Sequence, residues 1–134
     1  MSAPPLPARE FGRLPDGAAV PVYRLAAPSG AFVEVCPYGA TVVALQVPDR
    51  GGRLADVVLG FPDLSGYLAP HPYFGVMAGR VAGRIREACF TLEGRPHRLA
   101  ANDGPHHLHG GLAGFDKRLW HAEPAAPRAD GAPA

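Results

Sequence analysis

Lysine is almost missing from this chain of 134 residues: Lys117 is the only one, and arginine supplies the rest of the 13 basic residues. Against 12 acidic residues the formal net charge is +1. That balance leaves no electrostatic footprint for nucleic acid or an anionic membrane, so neither is expected as a partner. A run of ~18 apolar residues is also missing, which excludes a transmembrane helix. The opening MSAPPLPARE has neither a basic n-region nor an apolar h-region, so no secretory signal is read there. Cysteine is scarce. Cys36 and Cys89 cannot build a disulfide framework and lack a CxxC spacing, and the expected compartment is the reducing cytoplasm.

What is present is apolar and turn-rich. Hydrophobic residues make 47% of the chain and charged residues 19%, enough for a packed core. Glycine (17) and proline (16) are abundant but fall between apolar runs, where turns belong. Val20 to Leu25 alternates around Tyr23. Phe32 to Cys36 is aromatic and β-branched, and Pro37-Tyr38-Gly39 closes it as a turn. Thr41 to Val47 is the strongest strand signal in the chain. Val57-Val58-Leu59 reads as a short buried strand, and Asp63-Leu64-Ser65 as one helical turn. Cys89–Leu92 and His97–Leu99 flank a hairpin turn.

Residues 101–115 read as a polar, glycine-rich loop, and Arg118-Leu119-Trp120 as the start of another strand. No stretch keeps a 3.6-residue apolar period for three turns. The expected class is all-β, an antiparallel β-sandwich. Residues 1–10 are expected to be flexible, 11–122 to form the domain, and 123–134 to be an unstructured tail.

Five of the six histidines lie between residues 97 and 121, three of them in His106-His107-Leu108-His109. His109 precedes Gly110-Gly111, and glycines let a ligand or backbone come close. Imidazole gives or takes a proton near neutral pH, so His109 is a candidate site residue; the plainer reading is a His-rich surface loop. Zinc is a further reading: His107 and His109 at i, i+2 on a strand would share a face, with His97, His121 or Asp103 as a third ligand. In Gly79-Arg80-Val81-Ala82-Gly83-Arg84-Ile85, two arginines stand among small residues. Arginine's fixed fork of donors suits oxygen-rich ligands, although two surface arginines in a turn would look the same. No carboxylate pair is marked by spacing as an acid/base couple, and there is no GxSxG or phosphate-loop motif.

Taken together, the segments resemble the aldose 1-epimerase family, the galactose mutarotases. They are Tyr38-Gly39-Ala40-Thr41-Val42, Val47-Pro48-Asp49-Arg50, Asp56 to Phe61, Pro72-Tyr73-Phe74-Gly75, Gly79 to Ile85, Leu108-His109-Gly110-Gly111 and Gly114 to Trp120. No one segment decides the match; their order and spacing carry it. The resemblance implies a large antiparallel supersandwich with a sugar cleft, and interconversion of the α and β anomers of free aldohexoses without a metal or organic cofactor. It implies that Arg84 binds sugar and that His109 lies near the ring oxygen and assists there. Arg80, Tyr73 and Asp116 match family positions and read as structural.

Two departures stand out. Gly83 replaces an asparagine that contacts sugar in the family. The family's proton-donating histidine, in an Asn-His-x-Tyr-Phe-Asn segment, its glutamate base and its cleft aspartate have no counterpart here. The chain is therefore expected to be an incomplete, truncated sandwich, inactive or nearly so by itself. The alternative expectation is a short, non-catalytic carbohydrate-binding β-domain.

Overall fold

The computed structural model describes residues 7–123 and 125. Five strands run as an antiparallel meander in the order of the chain: β1 (Ala8–Arg13), β2 (Ala19–Ala26), β3 (Phe32–Cys36), β4 (Thr41–Pro48) and β5 (Leu54–Asp56). The expectation of a flexible stretch through residue 10 is corrected at its end. β1 begins at Ala8, because Ala8, Arg9 and Glu10 pair with Tyr23, Val22 and Pro21 of β2. Of the expected tail, only residues 123 and 125 fall within the described residues, and both are exposed.

The core lies on one face of this sheet. Alternation within β2 sends Val20 and Val22 inward, where they meet Phe11, Cys36 and Val43. The only α-helix among the described residues, α1 (Leu64–Leu68), closes that face with Leu64 and Tyr67. Asp63 is its N-cap and accepts a hydrogen bond from the Ser65 N–H at 2.9 Å, satisfying one of the helix's orphan donors. α1 sits close because Gly12, at a β-bulge in β1, has no side chain; a Cβ there would lie 2.7 Å from the Leu64 Cβ. Each fully buried Val or Leu contributes about 1.5–3 kcal/mol. On the same face, next to Val22 at the edge of this core, Glu34 is buried and held by Arg24 at 2.7 Å and Arg9 at 3.1 Å.

Val57-Val58-Leu59 is not a buried strand. Val57 is 58% exposed and Leu59 71%. The reason is Asp56: its Oδ1 accepts from the backbone N–H of Leu45 and of Val58, both at 3.1 Å, and bends the chain off the sheet. Arg118-Leu119-Trp120 forms one isolated bridge, Leu119 to Tyr38, rather than a full strand.

Two short ribbons complete the described chain. β6 (Arg84–Ile85) pairs with β9 (His107–Leu108), and β7 (Cys89–Leu92) with β8 (Arg95–Arg98). The expected hairpin is thus present, its turn narrowed to Glu93-Gly94. All sheets among the described residues are antiparallel, in keeping with the expected class. Among the described residues no helix is long and apolar enough to cross a membrane.

Candidate functional site

The site is built on the β6–β9 ribbon. Arg84 stands opposite Leu108, and Ile85 opposite His107. One residue further along, Gly83 and His109 continue the pairing in an unusual way. The His109 N–H donates to the Gly83 carbonyl at 3.1 Å, and the Gly83 N–H donates to Nδ1 of the His109 ring at 3.1 Å. A neutral imidazole that accepts at Nδ1 carries its proton at Nε2. The backbone therefore presents Nε2–H of His109 as a hydrogen-bond donor.

This arrangement needs a sharp reversal after β9. His109 has φ +50° and Gly110 φ +94°. The Gly110 position is closed to side chains, because a Cβ there would overlap the Gly79 carbonyl oxygen. The glycines of the Leu108 to Gly111 motif thus serve to bring backbone against backbone.

Arg84 is positioned by a carboxylate. Its Nε donates to Oδ2 of Asp103 at 2.6 Å, with the two side chains 61% and 35% exposed. Asp103 belongs to a turn closed by its bridge to His106. The neighbouring Asn102 clamps β9 with both ends of its amide: Nδ2 donates to the Leu108 carbonyl at 3.0 Å, and Oδ1 accepts from the Leu108 N–H at 2.8 Å. A single side chain thereby does the work of a third strand beside the ribbon.

An aromatic wall flanks His109. The Tyr73 ring lies 4.8 Å from the His109 ring, centroid to centroid, and Lys117 Nζ lies 5.4 Å from the Tyr73 ring centre. Tyr73 borders a cavity of about 480 Å³, shared with Tyr38, Tyr67, His71, Asp116 and Lys117. Asp116 is 4% exposed and pairs with Lys117. Burial holds the His71 imidazole below the ordinary histidine range; the nearby Asp116 charge opposes this and Lys117 reinforces it.

The structure brings Arg84 and His109 together on one ribbon. It separates the residues of the zinc reading. His107 turns inward, 6% exposed, with Nδ1 at 2.9 Å from the Ala100 carbonyl, while the Nδ1 of His109 is taken by Gly83. His97 stacks on Phe90, His121 pairs with Glu123, and Asp103 holds Arg84. Among the described residues no three His, Cys, Asp or Glu side chains gather into a metal-holding group. Arg80 lies over the Phe115 ring at 5.5 Å.

Three contributors escape a reading of sequence alone. Gly83 reads as a lost contact, yet its backbone holds His109. Asn102 reads as part of a turn signal, and only its distance from Leu108 reveals the clamp. His71 stands apart from the histidine cluster, and its sole signal is its place two residues before Tyr73.

Comparison with known proteins identifies the family. The family model for aldose 1-epimerase matches residues 21–132. The galactose mutarotase of Sus scrofa is 51% identical over 111 residues, covering 82% of this chain and 32% of the relative. The aldose 1-epimerase of Haemophilus influenzae is 38% identical over 109 residues, covering 81% of this chain and 31% of the relative. Among solved structures, an aldose epimerase homologue from C. elegans superposes with a TM-score of 0.76 at 34% identity, covering 81% of this chain and 34% of that one. The galactose 1-epimerase of Lactobacillus acidophilus gives a TM-score of 0.72 at 27% identity, covering 91% of this chain and 35% of that one. The chain belongs to the aldose 1-epimerase family, and its fold is the corresponding part of that antiparallel β architecture. It spans about a third of the length of the relatives it matches.

Proposed function

We propose that this chain carries one wall of the sugar site of an aldose 1-epimerase that interconverts the α and β anomers of free hexoses such as galactose or glucose. The observation that carries the reading is the fixed Nε2–H of His109, held by Gly83 on the same ribbon as Arg84. Anomer exchange requires the ring to open: the anomeric hydroxyl loses a proton, the ring oxygen gains one, and C1 rotates before closure from the other face. A neutral donor beside the ring oxygen stabilises the charge that develops there as the C1–O5 bond breaks. Arg84, engaged to Asp103 through Nε, can turn its Nη groups to sugar hydroxyls; a hydrogen bond from a charged donor contributes about 1.5–3 kcal/mol.

Binding and assistance are what these two residues supply. The proton-transferring acid and base that the family resemblance implies have no counterpart in the 134 residues. Each such group is typically worth a hundred- to ten-thousand-fold in rate. Cys36 and Cys89 are both free thiols, which fits action in the reducing cytoplasm.

Polarimetry of freshly dissolved α-D-galactose at pH 7 tests the reading. With this chain alone, the decay of rotation is expected to match the spontaneous rate. Galactose is expected to perturb the His109 ring resonances, and Arg84→Ala to abolish the perturbation without loss of fold, since a half-exposed ion pair contributes only ~0–1 kcal/mol. A faster decay, abolished by His109→Ala, would show that these residues suffice for catalysis. A non-catalytic sugar-binding domain is the second reading, supported by Arg84 and His109 both being binding groups. It predicts the same binding, and no acceleration when the downstream family segments are supplied in trans.

A further inference from the structure

We infer that His71 is a positioning residue for the site: its Nδ1 holds the Tyr73 backbone, and Tyr73 in turn sets the His109 imidazole. The inference rests on the reading of His109 as the group that meets sugar.

Tyr73 has φ +62°, a left-handed pose that bulky side chains seldom adopt and that persists only where the surroundings impose it. The constraint is visible. The Tyr73 N–H donates to Nδ1 of His71 at 3.1 Å. His71 is itself fixed by the core: its ring meets Phe61 at 5.8 Å and Tyr67 at 5.5 Å, both edge-on at 80°. Phe61 and Tyr67 are locked to each other by a 5.1 Å edge contact and by the hydrogen bond from the Phe61 N–H to the Tyr67 hydroxyl at 3.1 Å. Tyr67 is 4% exposed and part of the core of the five-stranded sheet.

The placement of that core therefore passes through one imidazole and one hydrogen bond to Tyr73. From there it reaches His109 through a ring contact of 4.8 Å. The two ends of His109 are then fixed by different means, Nδ1 by Gly83 and the ring face by Tyr73.

The accepting role requires an unprotonated Nδ1 on His71. The groups that face it are the Tyr67 side chain and backbone from α1, Tyr73 in its own segment, and Asp116 with Lys117 from the turn Phe115–Lys117. Burial and Lys117 favour the neutral ring, Asp116 and the Tyr67 backbone oppose them, and the net direction is toward neutral. At neutral pH the hydrogen bond is intact; as pH falls through the lowered His71 pKa it is lost, and Tyr73 is released.

Proton NMR of the 134-residue chain tests this. The wild type is expected to give a ring-to-ring nuclear Overhauser effect between Tyr73 and His109. His71→Phe keeps the aromatic packing but removes the acceptor, and is expected to lose that effect. His71→Asn restores an acceptor near the Nδ1 position and is expected to regain it. An undiminished effect in folded His71→Phe would overturn the proposal, as would an equal loss in both variants. Should either variant fail to fold, acid titration of the wild type decides. The Tyr73–His109 nuclear Overhauser effect is expected to be lost as pH falls through the value where His71 titrates, and an effect that persists through that titration would overturn the proposal. Galactose that leaves His109 unperturbed, while this coupling is observed, would refute the sugar reading alone.

Discussion

Gly83 and His109 hold each other twice, backbone to backbone and backbone to ring, with both hydrogen bonds at 3.1 Å. The ring bond selects the donor tautomer at the one atom free to meet a ligand. Residue 83 thus acts on the site through its main chain, whichever side chain it carries.

That gives a direct prediction for Gly83→Asn, the residue the family resemblance implies at this position. Gly83 has φ +82°, and a Cβ built there meets nothing within 4 Å. Asparagine tolerates the left-handed region better than other side chains, so the substitution is expected to cost no more than about 1 kcal/mol. It adds one neutral hydrogen-bonding group to the site, worth ~0.5–1.5 kcal/mol, or roughly a two- to thirteenfold tighter response to galactose. Titration of the His109 resonances with galactose measures it, and a weaker response would show that the side chain at 83 does not face the sugar.

Gly110→Ala is expected to behave in the opposite way. The same left-handed backbone is present, but the added methyl overlaps the Gly79 carbonyl. Backbone cannot move aside as a flexible side chain can. Destabilisation of roughly 3 kcal/mol or more is expected, read as a lower thermal midpoint and loss of protection at the His109 amide. An unaltered midpoint would show that the ribbon has slack at this point.

Glu34 makes stability depend on acid. Burial alone would raise its carboxyl pKa, but hydrogen bonds and charge from Arg24 and Arg9 outweigh burial and leave it below its ordinary 4.5. A carboxyl lowered in the folded state stabilises fully above its unfolded value, and that contribution is lost as pH falls through the lowered folded value. Glu34→Gln is therefore expected to lower stability at pH 7 by about 1–2 kcal/mol, discounted because both arginines are half exposed. Urea melts are expected to converge for the two proteins in acid; a constant difference across pH would assign the effect to packing instead.

Much of the fold is legible in the sequence where one strand's pattern suffices. Phe32–Cys36 is β3 to the residue, since aromatic and β-branched side chains bounded by a Pro-Tyr-Gly turn leave little alternative. Val57–Leu59 misleads because what ends the strand is a carboxylate bond from Asp56 to Leu45, eleven residues away. Arg84 and His109 are visible as a family motif. The links that hold them are less visible: Asp103 to Arg84 spans 19 residues, and the His71 contact depends on a positive φ at Tyr73 that tyrosine does not advertise.

The amide of Asn102 ties the chemical ageing of the protein to its site. Deamidation would exchange the Nδ2 donor for a carboxylate oxygen, and the pair with the Leu108 carbonyl at 3.0 Å would become acceptor against acceptor. β9 is two residues long, and His109 follows it directly. A stored sample can therefore lose its hold on the His109 imidazole through one hydrolysed side chain, far from the five-stranded sheet in the chain.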